Sequence, residues 1–258
     1  MVQALAGASE KGRWGGRLTK RPLPLDDDAI DALDIGDRRE LARFWLGRAA
    51  GERRVSKSCQ VIRDALAGLR APTELVALAE RAIDDELRHA EIWRLGASRY
   101  WGEPLDEPEP WPLVVPHIDA PPKLRNTLYV IGQCVFNETT ASAFLETCLS
   151  QAKGRLATAV LREILSDEID HGRIGWAFTA WLSSRRRAEV NPWLVPMAHA
   201  HLREWRRACR EVPATFAAHG VPSRADTEGA VMHALHELII PGLASLEFST
   251  DGMRQVAF

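Results

Sequence analysis

Glu86-Leu87-Arg88-His89 and Glu168-Ile169-Asp170-His171 are two copies of one pattern, Glu-x-x-His. On an α-helix, residues i and i+3 share a face, one above the other. Each pair can therefore present a carboxylate and an imidazole to the same metal ion. Two such pairs, with a lone glutamate from each of two other helices, make the carboxylate-bridged dimetal site of a four-helix bundle. The lone glutamates are present as Glu52 and Glu138. The order along the chain is then Glu52, Glu86/His89, Glu138, Glu168/His171.

The spacing tests this reading. Residues at equal height on an antiparallel helix pair lie about equally far from the turn that joins them. The midpoint of Glu52 and Glu86 falls at Leu69, inside the helix-stop signal Gly68-Leu69-Arg70-Ala71-Pro72. The midpoint of Glu138 and Glu168 falls at Lys153, in the break Lys153-Gly154-Arg155. At about 1.5 Å rise per residue each ligand lies roughly 22–26 Å from its turn, in mid-helix.

The apolar pattern supports burial of these residues. Glu86 shares its face with Ala79, Ala82, Ile83, Ala90 and Trp93. Glu138 shares its face with Ile131, Cys134, Val135, Ala141, Ser142 and Leu145, and Glu168 with Leu161, Ile164, Leu165, Ile174 and Gly175. Carboxylates on apolar stripes are costly unless paired or bound to a cation. Glu52 has Arg48, Arg53 and Arg54 nearby, but Trp45, Ala49, Val55, Ser56 and Cys59 carry an apolar stripe through it; Glu40 is the substitute if Glu52 fails.

The rest of the chain sets bounds. Its 258 residues are 46% hydrophobic, enough for a sizeable core, and the net charge of −2 with mixed signs suggests neither nucleic acid nor membrane as partner. No apolar run is long enough to span a bilayer. The first residues lack the apolar run of a secretory signal. The cysteines Cys59, Cys134, Cys148 and Cys209 form no C-x-x-C pair and read as reduced thiols, so a cytoplasmic location is expected.

The expected organisation is all-α. Residues 1–36 read as an N-terminal arm and 37–258 as one domain, with a bundle over 37–186 and C-terminal helices over 192–248. Helices are expected over 37–69, 73–101, 123–151 and 155–186. A fifth starts at Asn191-Pro192, and a sixth spans 226–248 with a break near Pro241-Gly242. The segment 102–122 holds seven prolines and is long enough for the one crossover between two antiparallel hairpins.

Taken together, the ligand set resembles that of the ferritin-like di-iron carboxylate superfamily, which includes ferritins, rubrerythrins, the ribonucleotide reductase small subunit, bacterial monooxygenase hydroxylases and arylamine N-oxygenases. The run Asp167-Glu168-Ile169-Asp170-His171-Gly172-Arg173-Ile174-Gly175-Trp176 is similar to the D-E-x-x-H-x-R-x-G-W run of bacterial ferritin-like proteins. Asp85-Glu86-Leu87-Arg88-His89-Ala90-Glu91 looks like its first-hairpin counterpart. The resemblance covers about residues 37–185. It implies Glu52 and His89 on one iron, Glu138 and His171 on the other, and Glu86 and Glu168 as bridges. Oxygen and imidazole ligands suit iron or manganese, so two Fe ions or an Mn/Fe pair are expected, with O2 as co-substrate. Asp85, Asp167 and Asp170 are candidate supports for the imidazoles, or else surface acids.

Departures from the named relatives narrow the reaction. The rubredoxin-type Cys-x-x-Cys of a complete rubrerythrin is absent. Ile164 stands where arylamine N-oxygenases carry an extra His, and Trp93 where the ribonucleotide reductase small subunit carries its radical Tyr. Ser142 stands where multicomponent monooxygenases carry a Thr, so its hydroxyl could relay a proton during oxygen reduction. Ser142 and Trp93, the latter for electron transfer beside His89, are the candidate catalytic residues. Ala141, Ser142, Gly172 and Gly175 either leave room for a substrate or let helices approach closely. The expected function is an oxidase or oxygenase that activates O2 to oxidise a small organic molecule, fed by an external electron donor. The alternative is an iron-binding ferroxidase without organic substrate. His233, with His236 or Glu237, could supply a seventh ligand or lie at the surface. The C-terminal Trp193, Trp205 and Leu238-Ile239-Ile240 either complete the core or form a homodimer surface.

Overall fold

In a computed structural model, residues 18–258 are described, and every regular element among them is helical. A short α1 (Asp28–Asp31) precedes α2 (Ile35–Leu69) and α3 (Thr73–Trp101). Helix α4 runs continuously over 122–151 as Pro122–Val130, a π-helical segment Ile131–Asn137, and Glu138–Gln151. Then follow α5 (Arg155–Trp181), α6 (Ser184–Ala208) and α7 over 224–245, which contains a second π segment, Ala234–Ile239.

Helices α2 and α3 form a hairpin, and so do α4 and α5. The first half of α4 lies against α2, and α5 against α3, which closes a helical bundle. Asp34 caps α2 by accepting from the Asp37 N–H. The turn after it is not made by Gly68. Arg70 takes the left-handed conformation (φ 57°), and the N–H groups of Arg70 and Ala71 bond back to the carbonyls of Ala67 and Leu66. That is the ordinary helix-stop geometry, carried by a residue that has a Cβ. The crossover is pinned from its middle. The Trp111 N–H donates to the Ala50 carbonyl, and its indole covers the notch left by Gly47 and Gly51, one turn apart on α2.

Several sequence expectations are corrected. Residues 1–17 of the expected arm lie outside the described residues, but the remainder packs: Leu18, Leu25 and Ile30 are buried, and Asp27 accepts from the N–H groups of Ala29 and Leu156. Helix α5 stops at Trp181, and α6 begins at Ser184 with Ser183 as its cap, so Pro192 and Pro196 lie inside a helix. Asn191 does not cap a helix; its side-chain oxygen accepts from the Ser249 N–H. Helix α7 passes through the expected break, because Pro241 falls in the first turn after a π segment, where its missing N–H costs little. Trp181, at the end of α5, is exposed, whereas Trp93 is fully buried.

The core has two parts. One contains Ile62, Leu66, Ala79, Val135, Phe136, Ile174 and Phe178; the other contains Trp45, Ile92, Trp93, Leu145, Leu161 and Ile164. Helices α2, α3, α4 and α5 each contribute to both, and each passes from one to the other at its expected ligand: Glu52 on α2, Glu86 and His89 on α3, Glu138 on α4, Glu168 and His171 on α5. A polar layer thus cuts across the bundle between two apolar clusters.

The π segment of α4 lies at this layer. Gly175 of α5 faces it so closely that a Cβ there would stand 2.5 Å from the Cys134 carbonyl carbon. The widened backbone needs a glycine opposite. Gly172, one turn earlier, meets nothing within 4 Å. Of the two glycines, one lets helices approach and the other leaves space.

Candidate metal centre

Glu86, Glu138, Glu168 and His171 are all buried, and each offers a ligand atom within 4.8 Å of the others. Metal bonds of about 2.0–2.2 Å put ligands of one ion up to roughly 4.4 Å apart, so the group is within a few tenths of an ångström of the size of one metal shell. His89 completes the far side. Its Nδ1 lies 3.6 Å from Glu86 Oε2 and 3.3 Å from Glu168 Oε1. The Nδ1 of His171 lies 2.9 Å from Glu86 Oε1 and 3.5 Å from Glu168 Oε2. Glu86 and Glu168 therefore each turn one oxygen toward each histidine.

These contacts do not satisfy the atoms involved. Both oxygens of Glu86 and the Nδ1 atoms of both histidines are shielded from solvent, yet none has a hydrogen-bond partner among the described residues. Buried polar groups are almost always paired. Proximity without hydrogen-bond geometry leaves these atoms unsatisfied by one another, as suits a site that a cation would complete. The donor set of carboxylate and imidazole suits a divalent transition metal with hard or borderline character.

Glu52 is half-buried on α2, and its Oε1 accepts the Trp93 indole N–H at 2.9 Å. Burial, then Glu86 and Glu168, push its carboxyl well above the ordinary range. It thus shares the field of the cluster. Glu40, the possible substitute, is exposed. Burial, followed by Glu168 and Glu86, likewise raises Glu138 well above the usual carboxyl value. Burial opposes ionisation of Glu168 too, but His171 and His89 outweigh it and hold this acid low. Burial disfavours both imidazolium ions, yet their acidic neighbours prevail and raise His89 and His171 well above their ordinary value. The direction of these shifts favours the protonated forms of Glu52, Glu138, His89 and His171, so metal binding competes with protons there.

The outer nitrogens are supported crosswise. His89 Nε2 on α3 meets Asp167 Oδ2 of α5 at 3.2 Å, and His171 Nε2 on α5 lies 3.6 Å from Asp85 Oδ2 of α3, an ionic contact too long for a hydrogen bond. Both aspartates are held below the ordinary carboxyl range; burial opposes this, but the facing histidines outweigh it. Arg88 joins the two halves. Its guanidinium pairs with Asp167, approaches Asp85 Oδ1 at 3.7 Å, and donates to Glu163 Oε1 and the Leu18 carbonyl. Asp170 pairs outward with Arg81 and Arg173. Arg88 was not singled out from the sequence. The available signal was the matching Asp-Glu start of both motifs, with an arginine in one of them.

The remaining candidates separate clearly. Trp93 holds Glu52 and packs edge-on against Trp45, with ring centroids 4.9 Å apart. Ser142 is half-buried, one turn beyond Glu138. His233 is exposed and outside the cluster, while His201 is buried. Asn137 Nδ2 donates to Gln133 Oε1, so its Oδ1 accepts from His201 Nδ1–H, and His201 Nε2 accepts from the Thr140 hydroxyl. His219, unremarkable in the sequence, is also buried. It meets the Tyr100 hydroxyl through Nδ1 at 3.0 Å, and its carbonyl takes the Trp45 indole N–H. Ile164 lies in the apolar cluster. No family model, curated protein or solved structure matches this chain.

Proposed function

We propose that this chain is a ferritin-like dimetal carboxylate oxidoreductase that uses O2 to oxidise a small organic substrate. The observation that carries the reading is the pair Glu86 and Glu168, each offering one oxygen to the side of each histidine. Glu52 and His89 would hold one ion, Glu138 and His171 the other, with the two central glutamates between them. Four carboxylates balance two divalent ions. Iron is the metal that joins this donor set to oxygen chemistry, and a bound iron pair would supply the electrons that reduce O2.

The protein's own groups do the rest. Trp93 fixes Glu52 through its indole N–H, and Asp167 with Arg88 fixes the His89 ring. The apolar clusters on either side keep bulk water from the centre. The open space at Gly172 and the half-buried Ala141 and Ser142 offer room for a substrate, with the Ser142 hydroxyl as a proton carrier.

Metal analysis of protein expressed with ample iron, followed by anaerobic reduction and rapid mixing with O2, tests this. About two irons per chain and a transient visible absorbance are expected. Two irons that oxidise without any transient would favour iron handling without organic substrate. A folded protein that binds no metal would refute the assignment.

A further inference from the structure

Arg48 sits one helical turn before Glu52 on α2. Among the described residues it pairs with no carboxylate, whereas Arg53 and Arg54 of the same helix pair with Glu107 and Glu204. Its Nη2 donates to the Gly220 carbonyl at 2.9 Å and approaches Cys148 Sγ at 3.7 Å. The guanidinium carbon lies 4.7 Å from the centre of the Trp93 ring and 5.1 Å from that of Phe144. Nη1 is shielded from solvent and has no partner. Arg48 as a whole is half-buried, and a shielded donor left idle on it is costly unless an acceptor completes it.

This cation belongs to the metal centre's surroundings. Trp93, which it stacks on, is the residue whose N–H holds Glu52, and Phe144 follows Ser142 on α4. The four site carboxylates are matched by two divalent ions, which leaves the charge of Arg48 over. We infer that Arg48 anchors the carboxylate of the substrate, a small organic monoacid with an apolar or aromatic body. One idle nitrogen and one uncompensated charge suit a monoanion; a phosphate dianion would exceed both. The aromatic walls exclude a strongly hydrated molecule. Arg48 stands one helical turn, about 5.4 Å, from Glu52 along α2, so an acid held at Nη1 lies beside the centre.

The inference rests on the dimetal reading for what happens to the acid, but not for its binding. The test is calorimetry with acetate, benzoate and octanoate, each against its neutral amide, on metal-free and iron-loaded protein. At least one acid is expected to bind about tenfold or more tightly than its amide. Arg48→Gln should level acid and amide, and Arg48→Lys should keep part of the preference. Equal binding of acid and amide across the series, no binding of any acid, or an unchanged preference in Arg48→Gln overturns the proposal. If Arg48→Gln does not fold, the guanidinium nitrogen resonances of wild-type protein decide: Arg48 should shift with the acid and stay put with the amide, and a static Arg48 signal refutes it. Iron content, measured separately, shows whether the dimetal reading stands or falls on its own.

Discussion

Replacing Glu138 by glutamine should stabilise the metal-free protein while removing its metal. Glu138 is buried beside Glu86 and Glu168, and burial with their charges raises its pKa well above 4.5. A carboxyl held protonated in the fold but ionised in the unfolded chain costs stability above pH 4.5. The cost is absent at lower pH and grows by about 1.4 kcal/mol per pH unit until the folded group ionises, so at pH 7 it is bounded at about 3 kcal/mol. Glutamine has nearly the same shape and no charge to lose. For a domain of this size 3 kcal/mol corresponds to about 6–12 °C in Tm. Metal acts oppositely: at a hundredfold excess over Kd each bound ion adds about 2.7 kcal/mol. The assay is thermal unfolding of both proteins, with chelator and with ferrous iron under anaerobic conditions, at pH 4.5 and pH 7. Glu138→Gln should melt higher than wild type in chelator at pH 7, match it at pH 4.5, and lose at least one ion's gain with iron. A variant that melts several degrees lower in chelator, or that keeps the full iron gain, refutes the reasoning.

Other expectations follow from the same geometry. Gly175→Ala would push a Cβ into the Cys134 backbone, so it should lose about 1–3 kcal/mol in urea unfolding and lower the iron content, because the shifted segment leads into Glu138. Gly172→Ala meets open space and should be neutral or up to about 1 kcal/mol more stable. Asp167→Asn should weaken metal affinity about 10–100-fold in competition with a chromophoric chelator, since it removes the acceptor that orients His89. Arg70→Gly should raise stability by about 1 kcal/mol by relieving a left-handed residue. Burial lowers His201 to about 4 from 6.5. The unfolded chain therefore binds the extra proton first, and stability should fall as pH drops from 6.5 to 4, by about 3 kcal/mol in all. That acid slope should be smaller in His201→Gln, measured by unfolding across pH.

The helix ends at Leu69, Trp101 and Gln151 and the equal heights of Glu52 with Glu86 and of Glu138 with Glu168 were legible in the sequence. They depend on constant rise per residue and on local stop signals. Glycines 172 and 175 looked alike in the chain, yet one faces space and the other a backbone. Only the distance to α4 separates them. The π segment was equally hidden, because its apolar pattern is that of an ordinary helix and its extra residue is tolerated only with Gly175 opposite. Pro192 misled as a helix start, since a local breaker rule cannot see Ser183 already capping the same helix. The segment from Leu18 onward reads as polar and Pro-rich; a few spaced apolar side chains and the buried Asp27 decide its packing.

Sequence alone picked out Glu86, Glu138, Glu168 and His171, which the structure brings within 4.8 Å of one another, because helical periodicity and hairpin length are properties of a single chain. Tertiary structure decided what surrounds them. That Asp85 serves the histidine of α5 and Asp167 the histidine of α3, that Arg88 joins both, and that Arg48 stacks on Trp93 and meets no carboxylate among the described residues all depend on the lateral packing of neighbouring helices. Side chains on different helices meet according to rotation and distance between axes, and no spacing within one helix encodes either.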